Sequence, residues 1–321
     1  MNLNQLPWLN KIYNNINYVN LPHGIIINGS LGLGKSILAK EIAYKLIGNS
    51  NERHRNLIET NNHPDLLILD KEKILLQHIT FRKNKWDDEI GDNNVNDFLS
   101  LTSSISDNKV ALILNAHTMN NECQNALLKS LEEPSSNSYI IMTTNRKNAL
   151  LDTIYSRCQV YNIPSLNSIQ TDTWLNKNGI FEVNANDFPS FASPLAIYSD
   201  IQNDKHLIYK NFLEIVLKYL SNKKNAPETL KSLSDLDVDL IMKVNFFVEF
   251  LKITLKSKLL SEDLSGNYAS LNDANFSNLK ISNLILELNE LRFDYFKVPQ
   301  INETHVLNYF LSELKNSIKI L

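Results

Sequence analysis

The amino-acid sequence predicts an α/β fold, in which a five-stranded parallel sheet is followed by a small helical domain and then by an all-helical C-terminal domain. Three observations carry that prediction. The octapeptide Gly29-Ser30-Leu31-Gly32-Leu33-Gly34-Lys35-Ser36 fits G-x-x-x-x-G-K-[ST] at every fixed position. Continuous apolar runs of strand length alternate with helical patterns as far as Pro164, which is the pattern of a sheet buried on both faces. Beyond Pro164 the strand signals fade and helical spacing takes over. We therefore place boundaries at 1–164, 165–206 and 207–321.

At the N-terminus, Pro7-Trp8-Leu9 opens a short helical pattern in which Trp8 reads as a packing residue, and Leu21-Pro22-His23 ends it, with His23 read as structural. Gly24-Ile25-Ile26-Ile27-Asn28 is the first strand. Leu38, Ile42, Ala43, Leu46 and Ile47, after the octapeptide, mark a helix. In that setting the glycines let backbone N–H groups turn onto phosphate oxygens, and the helix N-terminus adds partial positive charge. Lys35 would reach the outer phosphates and Ser36 a magnesium ion. The polar stretch from Gly48 to Asn62 reads as a surface excursion, with His54 and His63 as solvated loop residues rather than metal ligands.

Leu66 to Asp70 is the second strand. The charged stretch 71–94, with Trp86 among Lys85, Asp87, Asp88 and Glu89, reads as an exposed connection before Val95, Phe98, Leu99 and Thr102 resume helical spacing. Val110-Ala111-Leu112-Ile113-Leu114 is a buried strand ending in Asn115-Ala116-His117. Asn120-Asn121-Glu122 caps a helix running through Leu131, and Pro134 closes it. Tyr139 to Asn145 and Gln159 to Ile163 supply the last two strands. From Leu207 onward four helical patterns follow, among them Ile241 to Leu260, Leu284 to Phe296 and Val306 to Ile320.

The 321 residues carry 32 basic and 35 acidic side chains, a formal charge of −3, which excludes a protein that grips nucleic acid through a global field. No apolar run approaches the ~20 residues of a membrane span, and the N-terminus lacks a secretory pattern, so the expected place is the cytoplasm. Cys123 and Cys158 lie too far apart for a C-x-x-C site.

Several blocks together resemble the delta-prime subunits of bacterial DNA polymerase III clamp loaders, members of the AAA+ superfamily. They are Pro7-Trp8, Leu21-Pro22-His23, the P-loop, His63-Pro64-Asp65, the run from Asn125 to Pro134 (Asn-Ala-Leu-Leu-Lys-Ser-Leu-Glu-Glu-Pro), Thr143-Thr144-Asn145 and Ser156-Arg157-Cys158. Pro299-Gln300-Ile301-Asn302 with Val306-Leu307 resembles the collar helix through which such subunits assemble. The resemblance implies partnership with gamma/tau and delta subunits, indirect contact with the sliding clamp and primer-template DNA, and no membrane. It makes the chain part of a DNA-directed DNA polymerase assembly without catalysis of its own. It also implies that Asn145 holds the γ-phosphate sensor position and that Arg157 points into a neighbour's ATP site as an arginine finger.

Two departures qualify the resemblance. The family's zinc-binding cysteine cluster has no counterpart between Gly48 and Asn62, so no zinc is expected, and no other metal site. The ATP-hydrolysing gamma and tau subunits carry Asp-Glu where this chain has Asn115-Ala116, a degenerate Walker B pair. Loss of a general base costs about 10²–10⁴ in rate, so turnover is expected to be negligible, and the uncharged Asn115 leaves binding of ATP and magnesium weak or vestigial. Two alternatives stay open at this point: an active gamma/tau-like AAA+ ATPase, and a small-molecule P-loop kinase.

Overall fold

The structure, a computed structural model, describes residues 2–48, 52–80, 94–264, 266–295 and 301–319. Trp86 and its charged neighbours lie outside the described residues, as do Phe296, Pro299, Gln300 and Ile320. The chain forms two compact units, Met1–Asn167 with Ser193–Leu195, and Ser168–Ala192 with Ala196–Leu321.

The first unit begins with α1 (Pro7–Asn14), whose proline at the first helical position has no N–H to leave unpaired. It continues β1 (Gly24–Asn28), α2 (Lys35–Ile47), α3 (Glu52–Glu59), β2 (Leu66–Asp70), α4 (Leu76–Ile79), α5 (Val95–Ser100) and β3 (Lys109–Leu114). Then come α6 (Asn121–Glu132), β4 (Ser138–Thr144), α7 (Asp152–Tyr155) and β5 (Cys158–Asn162). The five strands form one parallel sheet in the order β2-β3-β4-β1-β5. That order explains the apolar runs: β1 and β3 each have neighbours on both sides and are buried along their whole length. The register sets Gly24 beside both Ile140 and Cys158, and a Cβ on Gly24 would come 2.5 Å from the Cys158 sulfur. Only glycine fits there.

The helix periodicity is also met. Leu38, Ala39, Ile42 and Ala43 of α2 are fully buried, and α6 starts where Asn120 accepts a hydrogen bond from the Cys123 N–H. Two segments differ from the sequence reading. The excursion after Gly48 contains a helix, α3, because Leu57 and Ile58 give an otherwise charged segment one packing face, with Ile58 3% exposed. In the charged connection, Ile74, His78 and Ile79 are buried around α4.

In the second unit, α8 (Ser168–Lys177) and α9 (Pro194–Gln202, in this unit from Ala196) precede α10 (Ile208–Leu220), α11 (Ala226–Ser234), α12 (Leu240–Leu260), α13 (Asn278–Asp294) and α14 (Glu303–Ser317). Phe212, Phe247, Phe250 and Leu311 centre one apolar core, with Phe212 and Phe247 edge-on at 4.8 Å. Within it Lys243, 1% exposed, is held 2.7 Å from Glu303. Two short strands, β6 (Asn275–Phe276) and β7 (Ile318–Lys319), pair antiparallel where the sequence reads as helical throughout. No helix among the described residues is long and apolar enough to cross a membrane.

Candidate functional site

The loop after β1 is built as an anion cradle. Its first amide, Gly29 N–H, donates to the Thr144 carbonyl of β4, and Ile37 and Leu38 N–H close the first turn of α2 on the Gly34 carbonyl. Between these bonds the backbone N–H groups from Ser30 to Ser36 have no partner among the described residues. Gly32 at φ 71° and Gly34 at φ 84° put the chain into the left-handed turns that gather such groups on one side. The residues present therefore fit a phosphate. Lys35 is 8% exposed, and its Nζ donates to the carbonyls of Gly29, at 2.8 Å, and Ser30, at 2.7 Å. Burial lowers its pKa from the ordinary lysine value.

Packing, as well as phosphate, requires the glycines. A Cβ on Gly29 would come 2.9 Å from Ile163 Cβ, one on Gly34 2.8 Å from Leu9 Cδ1, and one on Gly32 1.9 Å from Ser193 Oγ. Trp8, read from sequence as packing alone, donates its indole N–H to the Leu33 carbonyl at 3.0 Å. His23 is structural as expected: its Nδ1 is 2.6 Å from the Ser138 carbonyl and its ring stacks on Tyr139.

At the end of β3, Asn115 turns the chain at φ 56°, its N–H on Thr143 Oγ1, and its amide nitrogen lies 3.5 Å from Asp70 Oδ1. Ala116 is fully buried, and its methyl group can neither bind a metal nor act as a base. His117 follows with its Nδ1 buried and unpartnered; burial, then the charges of Arg146 and Lys35, hold its pKa below the usual histidine value. Asn145, after β4, has a buried Oδ1 without a donor and lines a cavity of about 260 Å³ with Asn28, Gly29, Ser30 and Asn162. Ser36 is exposed at the start of α2, and no carboxylate occupies Asn115 or Ala116 to help it hold magnesium. The donor set thus fits a phosphate better than a divalent ion.

Arg157 stands elsewhere on the unit, after α7. Its guanidinium pairs with Glu132 at 2.8 Å and donates to the Thr153 carbonyl at 2.9 Å, with the two paired side chains 36% and 48% exposed. The structure thus gives the arginine a partner within its own chain.

The His63-Pro64-Asp65 segment holds what sequence reasoning missed. His63 is not a solvated loop residue: it is 3% exposed, and His54 lies on α3 rather than in a loop. His63 Nδ1 accepts the Asp65 N–H at 3.1 Å, so the neutral ring carries its proton on Nε2, which is 3.3 Å from His54 Nδ1. Burial first, then His54, lowers its pKa. Asp65 is fully buried and accepts from the N–H groups of Ser104, Ile105 and Ser106 and from the Ser106 hydroxyl, at 2.6–3.0 Å. Burial pushes that carboxyl up, but the four hydrogen bonds outweigh it and leave the pKa below the ordinary value. Among the described residues no cluster of three or more His, Cys, Asp and Glu side chains could hold a metal ion.

The DNA polymerase III subunit delta' of Haemophilus influenzae is 28% identical over 270 residues, covering 79% of this chain and 78% of that one. The protein of the same name from Bacillus subtilis is 30% identical over 155 residues, 46% of this chain and 44% of its own. A solved gamma subunit-related protein of Thermotoga maritima aligns over 98% of this chain and 99% of its own at 14% identity, with a TM-score of 0.47, too loose a likeness to bear on function. The family model described as DNA polymerase III, delta subunit, matches residues 5–167, the span that contains the cradle, the Asn115 turn and Arg157, and the chain belongs to that family.

Proposed function

We propose that this chain is a non-hydrolysing, delta-prime-like subunit of the DNA polymerase III clamp loader, which helps to assemble the machine that places the sliding clamp on primed DNA. In this reading residues 1–164 are the AAA+ domain, 165–206 a lid and 207–321 the collar that joins gamma/tau and delta subunits in the cytoplasm. The observation that carries it is a contrast within one sheet: a phosphate cradle complete from Gly29 to Ser36, and a β3 end where Asn115 and buried Ala116 themselves supply neither a metal carboxylate nor a base, with the Asp70 carboxylate 3.5 Å from the Asn115 amide. ATP binds weakly there, without strong dependence on magnesium and without turnover. Asn145 senses a γ-phosphate only by turning its Nδ2 toward it, since phosphate oxygens accept and cannot donate. No zinc takes part.

Arg157 acts in trans in this reading. Its bond to Glu132 is a half-exposed ion pair, of a kind worth about 0–1 kcal/mol. An arginine finger in a neighbour's site is worth about 10³–10⁵ in rate, or roughly 4–7 kcal/mol in the transition state at 1.36 kcal/mol per decade. The finger outweighs the ion pair, so the bond to Glu132 parks the guanidinium until a neighbouring nucleotide recruits it. Steady-state ATPase assays of the reassembled loader test this. Arg157→Ala lowers clamp-stimulated turnover at the adjoining site while the melting temperature moves little, and Glu132→Gln leaves turnover intact. Unchanged turnover of fully assembled Arg157→Ala loader excludes the finger. Turnover by the isolated chain at the rate of an active subunit excludes the non-hydrolysing reading.

A further inference from the structure

The cradle and the charge around it come from different parts of the chain. In the sheet β4 lies directly beside β1, and the register sets Asn28 against Thr144, so the P-loop and the segment 145–148 leave the sheet side by side. β2, which ends in Asp70, is separated from β1 by β3 and β4, about 14 Å at a strand spacing of about 5 Å. What stands next to the cradle is therefore set by β4, and β4 is followed by Asn145-Arg146-Lys147.

Arg146 and Lys147 are exposed cations whose side chains have no hydrogen bond or ion pair among the described residues. The Arg146 backbone, by contrast, is fixed: its N–H donates to Thr144 Oγ1, and its carbonyl accepts from the same hydroxyl. The charges of Arg146 and Lys35 both reach the His117 ring, and no carboxylate offsets them there. Lys147 lines the cavity of about 260 Å³ that Gly29, Ser30 and Asn145 also line, and no acid shares that lining. A P-loop site ordinarily answers the charge of a phosphate chain with its lysine and with a magnesium ion held in part by a carboxylate. This chain has the lysine, but Asn115 and Ala116 supply no carboxylate, and two unpaired cations flank the loop instead.

We propose that Arg146 and Lys147 supply the positive charge that magnesium supplies in hydrolysing P-loop enzymes, so that the cradle takes a metal-free polyphosphate chain, with its terminal phosphoryl group in the cavity lined by Lys147. The inference rests on reading Gly29–Ser36 as a phosphate cradle and adds the form of its ligand, the free anion rather than its magnesium complex. Magnesium then competes with the protein for the phosphate oxygens. It cancels part of the anion's charge and brings one more cation to a site where Arg146, Lys147 and Lys35 already gather, so it loosens binding.

The test uses the full chain, with calorimetry of sodium tripolyphosphate and of ATP, each in EDTA and in excess magnesium chloride, and amide hydrogen exchange to locate the anion. Tripolyphosphate binds in EDTA and slows exchange between Ser30 and Ser36. Excess magnesium weakens it about two- to fivefold, the size of one partly exposed charge contact. Arg146→Gln and Lys147→Gln each weaken the metal-free complex by a similar factor and together by about tenfold. Both variants melt with the parent, because the two side chains make no bond in the free chain. Lys147→Arg keeps the affinity, and in the double variant the loosening by magnesium disappears. ATP binding more tightly than tripolyphosphate, with the same losses in the variants, makes a nucleotide the source of the phosphate chain; equal binding makes any free polyphosphate a ligand. The proposal fails, and the cradle stands, if the folded double variant binds as tightly as the parent or if magnesium tightens the complex. If neither anion binds at millimolar concentration, or if the protection falls outside Ser30 to Ser36, the cradle reading fails with it.

Discussion

The loop after β1 and the turn after β3 both leave the carboxyl ends of strands in one parallel sheet, and they are constrained differently. Three glycines of the loop are each locked by a neighbour: Gly29 by Ile163, Gly32 by Ser193, Gly34 by Leu9. Trp8 ties the loop to α1 besides. The turn, by contrast, can carry asparagine for aspartate at no cost in shape, since Asn115 sits in the left-handed region that Asn and Asp both tolerate. A P-loop can therefore serve as a packing element whether or not its site turns nucleotide over. Retention of the motif is evidence of a cradle and says nothing of turnover.

If that contrast is right, substitutions in the loop should cost stability and substitutions in the turn should not. The largest effect is expected for Gly34→Ala, which combines a left-handed backbone with a Cβ against Leu9 and should destabilise by about 2–4 kcal/mol in urea unfolding. A loss under about 0.5 kcal/mol, the range of an inert surface change, would break the comparison. Trp8→Phe removes one donor and should cost about 1 kcal/mol, with weaker phosphate binding by calorimetry. Asn115→Asp should lower the melting temperature far less than Gly34→Ala, through the second carboxylate it sets beside Asp70, and make ATP binding more dependent on magnesium. If it restores hydrolysis by itself, a base at position 116 is not required.

Acid sharpens the comparison further, because the carboxylate whose charge the first unit depends on is in the scaffold. Asp65 has a folded pKa below its unfolded one. Its contribution is complete above the unfolded value of about 3.9 and is lost as pH falls through the folded one. Acid unfolding of the parent should therefore show a component below about pH 4 that Asp65→Asn lacks.

Much of this was legible in the sequence for a physical reason: strands buried on both faces must be apolar throughout, and the span Gly24–Asn28 follows from that alone. The P-loop and the Asn120 cap are equally local. What could not be read depends on partners distant in the chain. Ser193 against Gly32, Glu132 on Arg157 and the loop 104–106 on Asp65 are such contacts. His63 looked solvated because its segment is polar, whereas its burial is decided by the helix that carries His54. The pairing of β6 with β7 joins residues more than forty positions apart, with only two residues in each strand, too few to show a period.

The contact between Cys158 and Gly24 gives this unit a built-in chemical clock. The thiol lies half-buried on the edge strand β5 against Gly24, and burial pushes its pKa up to about 12, so hardly any thiolate exists at neutral pH to meet an alkylating reagent. Cys123, wholly buried behind α6, is protected in the same way. Pulse alkylation will therefore mark Cys123 only while the sheet is open, and Cys158 faster as β5 loosens from β1. The ratio of the two labels reports whether β5 leaves β1 before α6 leaves the sheet, a partial opening that a melting curve averages away.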